Sequence, residues 1–234
     1  MCGRYRLTAK ERSLRDHFGL NEDPAWQPRW NIAPTQQVAT IRQHPSEPVR
    51  IFGLMRWGLI PYWAKDQSFA IRTINAMSET AAQKPAFRDA LRRRRCLIPA
   101  DGFFEWKKTG PKDKQPYNIG LPHDSIFAFA GLWDRWRDPN HHVLLETCTI
   151  LTTRPNSVVA EVHDRMPAIL DPDDYERWLD PGITNSEMIL ESLKPFDATP
   201  MRKHPVSSRV NRPENDDEAC AREVPAENSA PTLF

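Results

Sequence analysis

The chain sets 22 prolines against 9 glycines in 234 residues, and that ratio limits its architecture more than any other feature. Each proline locks φ and removes a backbone N–H, so long helices are disfavoured and short elements joined by irregular loops are expected. Runs of β-branched and aromatic residues bounded by turn formers predict strands at Val38–Arg42, Val49–Trp57, Cys96–Lys107, Tyr117–Leu121, Ile126–Trp136 and Val143–Thr153. Most follow one another without an intervening helix, which favours antiparallel pairing. Helices are expected at Ala9–Phe18, at Pro85–Arg94 and at Pro172–Leu179, the last capped by Asp171. Asn156–His163 and Ser186–Leu193 are shorter candidates. The fold class is therefore α+β and β-rich, with short flanking helices.

With 39% hydrophobic and 27% charged residues, the chain suits one soluble domain with a sizeable core. No run of about 18 apolar residues is present, and the start Met1-Cys2-Gly3-Arg4-Tyr5-Arg6 lacks the apolar stretch of a secretory signal, so no membrane partner is expected. Cys2, Cys96, Cys148 and Cys220 form no CxxC pair, which argues against a disulfide framework or a thiolate metal site and fits a reducing, cytoplasmic compartment. No metal or cofactor is implied, and a monomer is expected. Residues 213–234 carry six acids against Arg222, a net of −5, which leaves +6 on the remainder. We therefore divide the chain into a basic domain over residues 1–212 and an acidic, disordered tail over 213–234. A basic body hints at a polyanionic partner, although solvated surface charge explains it equally.

Cys2 can do something that no internal cysteine can. Removal of Met1 would leave an α-amine and a thiol on adjacent carbons, with reference pKa values of about 7.7–8.0 and about 8.5. With an aldehyde, the amine gives a Schiff base and the thiol closes onto the same carbon, forming a five-membered thiazolidine. On position alone, an inert second residue is the simpler reading.

The start Met-Cys-Gly-Arg is joined by Asn31-Ile32-Ala33-Pro34, Trp57-Gly58-Leu59-Ile60-Pro61-Tyr62-Trp63, Asn75-Ala76 and Arg95-Cys96-Leu97-Ile98-Pro99-Ala100-Asp101-Gly102-Phe103-Phe104-Glu105-Trp106. Phe129-Ala130-Gly131-Leu132-Trp133, Cys148-Thr149-Ile150-Leu151-Thr152-Thr153 and His163-Asp164-Arg165-Met166-Pro167 follow. In this order the segments resemble the SRAP family, the abasic-site shielding proteins of SOS-associated type. The resemblance implies a β-rich domain with a barrel-like core that binds single-stranded DNA and traps abasic sites covalently in the DNA damage response. It also implies a catalytic set of Cys2, Asn75, Glu105 and His163. After Asn75-Ala76 the family pattern carries an arginine that contacts the DNA backbone, where this chain has Met77.

Taken by themselves, these positions stay open. In a strand Glu105 shares a face with Phe103, opposite Phe104 and Trp106, and is either surface-facing or a pocket acid with a raised pKa. His163 is either a structural histidine or an acid-base group. Asn75 either satisfies a turn or orients the reacting amine. Arg4 and Arg165 are candidate phosphate contacts, and Trp63 and Trp106 candidate base-stacking residues, against core packing as the ordinary fate of tryptophan. Arg92-Arg93-Arg94-Arg95 is as well explained by helix-dipole complementation as by DNA. Two functional classes compete: an abasic-site crosslinking enzyme with lyase-like chemistry, and a cysteine N-terminal-nucleophile peptidase or amidohydrolase, in keeping with the family's peptidase label. A noncatalytic reader of single-stranded DNA is a third.

Overall fold

The structure, a computed structural model, describes residues 2–226. Its strands are β1 (Tyr5–Leu7), β2 (Arg29–Ile32), β3 (Gln37–Gln43), β4 (Arg50–Trp57), β5 (Asn75–Met77), β6 (Arg95–Ala100), β7 (Gly102–Lys108), β8 (Lys114–Gly120), β9 (Phe127–Arg137), β10 (Leu144–Thr153), β11 (Met166–Pro167), β12 (Ile169–Leu170) and β13 (Arg202–Pro205). The order β4-β3-β6-β9-β10 returns to β4 and closes a five-stranded barrel. Its pairs are antiparallel except β10–β4, and β5 lies parallel along β10 with Asn75 opposite Ile150. The barrel thus has two ends. Gln43, Arg95, Arg137 and Leu144 mark one, and Ala100, Phe127 and Thr153 the other. A second, wholly antiparallel sheet has the order β13-β8-β7-β1-β2.

The single strand expected over Cys96–Lys107 is divided at Asp101, where the chain leaves the barrel for the second sheet. The Asp101 carboxylate, fully buried, accepts from Arg6 Nη1 at 2.9 Å, Thr8 N at 2.5 Å, Thr8 Oγ1 at 2.9 Å and Ala9 N at 3.0 Å. A Cβ on Gly102 would come within 2.6 Å of Arg6 Nε and 2.8 Å of Asn118 Oδ1, so the close approach demands glycine there. The helices are short, as the prolines require: Glu11–Phe18, Arg88–Arg93, Ser157–Ala160, Ser186–Leu190, and Tyr175–Leu179 preceded by a 3₁₀ turn at Pro172–Asp174 that Asp171 caps. No helix among the described residues is long and apolar enough to cross a membrane.

The segment expected to be disordered from residue 213 is packed as far as Val224, and residues 227–234 of that expectation lie outside the described residues. Its acids are not merely solvated. Asp216 Oδ1 accepts from Trp30 N at 2.6 Å and Asn31 N at 2.8 Å, satisfying the edge strand β2, while its other oxygen pairs with Arg29. Asn31 replies with Nδ2 to Arg212 O at 3.0 Å and Asn215 O at 2.7 Å. Cys220 and Val210 bury beside Phe104 and Val206. Charge counting overlooked a carboxylate used as a backbone acceptor. Asp216→Ala should cost about 1–3 kcal/mol by leaving two strand N–H groups unpaired, seen as a lower Tm and faster amide exchange over residues 208–224; an unchanged Tm would refute the latch.

Candidate functional site

The site is built by strand register. β1 pairs with β7 with Tyr5 opposite Phe103 and Arg6 opposite Gly102, and Phe104 N donates to Arg4 O at 2.9 Å. Continuing that register brings position 3 opposite Glu105, so the start of the chain lies against the acid. Asn75, which could have satisfied a turn, instead lies in β5, and its Nδ2 donates to the Cys2 carbonyl oxygen at 2.7 Å. Cys2 is fully buried, with Sγ 4.0 Å from Arg4 O. Burial first, and the Glu105 carboxylate second, push its thiol well above the ordinary cysteine range.

The β7 alternation settles the orientation of Glu105. Phe103 joins the main core, whereas Phe104 and Trp106 belong to the small cluster under the C-terminal segment. Glu105 is 2% exposed, and burial pushes its carboxyl up to about 7. Its Oε2 stands 3.9 Å from His163 Nε2. His163 follows the turn Ser157–Ala160, with its N–H on Val159 O at 2.9 Å. Arg165 N donates to His163 Nδ1 at 3.0 Å, and Asp164 Oδ1 is 2.9 Å from the same nitrogen. Partial burial lowers the His163 pKa, so the neutral ring prevails at pH 7. Four residues remote in sequence are thereby gathered: a buried thiol, an amide on its carbonyl, an acid that is half protonated near neutrality, and a neutral imidazole.

Arg4 and Trp106 converge on one residue that sequence reasoning missed. Arg4 Nη2 donates to Asn211 O at 3.2 Å and Trp106 Nε1 to Asn211 Oδ1 at 2.8 Å. Arg4 Nε, like Arg165 Nε, is buried without a hydrogen-bond partner among the described residues. Arg165 is differently placed. Its guanidinium is held bidentate by Glu79 at 2.7 and 2.8 Å and reaches Thr152 O at 2.7 Å, so a carboxylate occupies the edge that a phosphate would use. Trp63 is 46% exposed and packs edge-to-face on Phe69, with ring centroids 5.4 Å apart. Its loop is anchored on the other flank, by Tyr62 N to Asp134 Oδ2 at 3.1 Å and Trp136 Nε1 to Ala64 O at 2.7 Å. Met77 is exposed at the end of β5. Asp164 stood inside a quoted motif and was detectable; Glu79 and Asn211 carried no local signal. No three His, Cys, Asp or Glu side chains among the described residues are grouped to hold a metal ion.

Comparison with known proteins identifies the family and supports the fold. The profile of the SOS response associated peptidase (SRAP) family matches residues 1–213. "Abasic site processing protein YoqW" of Bacillus subtilis (strain 168) is 42% identical over 218 residues, covering 92% of this chain and 96% of that protein. "Abasic site processing protein HMCES" of Xenopus tropicalis is 30% identical over 262 residues, covering 94% and 77%. A crystal structure of a Bacteroides thetaiotaomicron protein superposes with a TM-score of 0.83 at 28% identity, covering 95% of this chain and 100% of that one. With its barrel, its gathered site and a profile match over nearly the whole length, the chain belongs to the SOS response associated peptidase (SRAP) family.

Proposed function

We propose that the chain processes abasic sites in single-stranded DNA by trapping them covalently on Cys2 after Met1 is removed, shielding the lesion. The observation that carries this reading is the Asn75 amide on the Cys2 carbonyl at 2.7 Å, beside a buried acid paired with a neutral imidazole at 3.9 Å. Protonated Glu105 donates to the ring oxygen of the abasic sugar, opening it to the aldehyde. The Cys2 amine adds to the aldehyde carbon, water leaves, and an imine remains. The thiol then adds across the C=N bond, its sulfur bonding to the carbon and its proton ending on the nitrogen, giving the thiazolidine. A thiol held neutral by burial leaves the first addition to the amine, which suits this order better than it suits amide hydrolysis, where a thiolate attacks first. Arg4 offers its unpaired Nε to a phosphate, and Trp106 a stacking face. Arg165 reaches DNA only by exchanging Glu79, and otherwise positions His163 through its N–H.

An uncleavable extension before Cys2 should abolish the denaturant-resistant adduct with an abasic oligonucleotide, and Cys2→Ser should leave at most an imine that borohydride traps. An extended protein that crosslinks as fast as the native one would sink the proposal.

The pH dependence has a definite sign. Glu105 acts protonated, so adduct formation should decline as pH rises through about 7; His163 acts neutral, so it should decline as pH falls below the ordinary histidine range. Glu105→Gln should remove the upper limb and His163→Ala the lower one, while binding to undamaged strand persists. Identical profiles in all three proteins would count against these roles.

Met77 stands where the family pattern has an arginine. Met77→Arg should tighten binding to undamaged single strand and steepen the log–log salt dependence by about 0.7 for one added phosphate contact. The adduct rate at saturating DNA should hold. Unchanged affinity would mean that another base, such as the exposed Arg72, already makes the contact.

A further inference from the structure

At the barrel end remote from Cys2, where β3, β6 and β9 meet, lies a cavity of about 460 Å³. Its floor is apolar, formed by Trp133, Ile51 and Leu179, and its rim carries Arg42, Arg93, Arg95 and Arg135. That volume and mixed lining are those of a small-molecule site. The charge is poorly balanced. Arg42 Nη1 and Arg135 Nε both donate to the same oxygen of Glu146, at 3.0 and 2.7 Å, so one carboxylate serves two cations. Arg93 is exposed and forms no ion pair among the described residues.

Arg95 is buried, yet its donors go to main-chain carbonyls: Trp178 O at 2.6 Å, Leu91 O at 2.8 Å, Arg92 O at 2.9 Å and Asp180 O. Those carbonyls end two helices, which accounts for its place but leaves its charge without a contacting carboxylate. The nearby Asp180 side chain accepts from Gly182 N at 2.8 Å instead. Arg42 and Arg135 lie 4.7 and 5.6 Å from the Trp133 ring centroid, so cationic planes already border the aromatic floor. A ligand that fits has a flat apolar body and a compact anionic group.

We propose that this cavity binds a 5′-phosphorylated nucleotide, its phosphate on Arg42, Arg93 and Arg135 and its base against Trp133, Ile51 and Leu179. The site is separate from the crosslinking centre and does not depend on that chemistry. The nucleotide is either a free monophosphate or the 5′ end of a DNA strand.

The test is calorimetric titration of the full chain with dAMP, deoxyadenosine and inorganic phosphate. Saturable binding of dAMP is expected, with the nucleoside and phosphate each weaker by at least about tenfold, the worth of one charge-assisted contact. The double variant Arg93→Glu, Arg135→Glu should lose at least about tenfold in dAMP affinity while keeping its Tm and its adduct yield on abasic DNA. Displacement of dAMP by a short 5′-phosphorylated oligonucleotide, but not by its 5′-hydroxyl form, supports a strand end; displacement by neither supports the free nucleotide. No heat with dAMP, undiminished binding in the double variant, phosphate binding as tightly as dAMP, or equal displacement by both oligonucleotides would overturn the proposal.

Discussion

The Asp101 carboxylate is the joint on which the arrangement turns. It is buried against Arg6 and receives two main-chain N–H groups and one hydroxyl from the residues just after β1. One side chain thereby ties the first strand to the point where the barrel strand β6 becomes β7. Burial pushes its pKa up, and Arg6 and the Thr8 and Ala9 donors pull it back, so the carboxylate stays ionised only while that cradle is intact. Removing either member of such a buried pair strands a charge, typically at about 3–5 kcal/mol. Because Glu105 lies four residues beyond the joint and Cys2 four before Arg6, the same contact sets the separation of Cys2 and Glu105.

Burial then does the electrostatic tuning. It disfavours the charged form of whatever it encloses, so it raises an acid and lowers a base. Applied at one barrel end to Glu105 and His163, it leaves both able to exist neutral near pH 7, one with a proton to give and the other with a site to accept one. The pattern is that of acid-base pairs whose environments separate their titrations.

Much of this was legible in the residues. The proline count foretold short elements, and the β-branched runs located the barrel strands to within a few residues. The alternation around Glu105 named its face but could not say which face was buried, because that depended on a second cluster assembled from residues 206–221. Strands of two to four residues, such as β1, β5 and β13, carry too little pattern to be seen; they form because a neighbour offers an edge. The acidic stretch was misjudged because composition measures solvation and not acceptor use, and Asp216 is an acceptor. The partner of Arg165 was out of reach for the same kind of reason: Glu79 lies 86 residues away.

The order of the site along the chain has a consequence for biosynthesis. Cys2 leaves the ribosome first, whereas the residues that surround it follow at positions 75, 105 and 163, and Asn211, which holds Arg4 and Trp106, comes almost last. On the proposed reading, Met1 would be removed from a nascent chain in which none of those partners has yet been made. The aminothiol would then be free chemistry, open to any cellular aldehyde, until translation is nearly complete. On that reading, the long-range closure of β1 onto β7 is the event that would enclose the nucleophile, since Cys2 is buried only once that pairing is made.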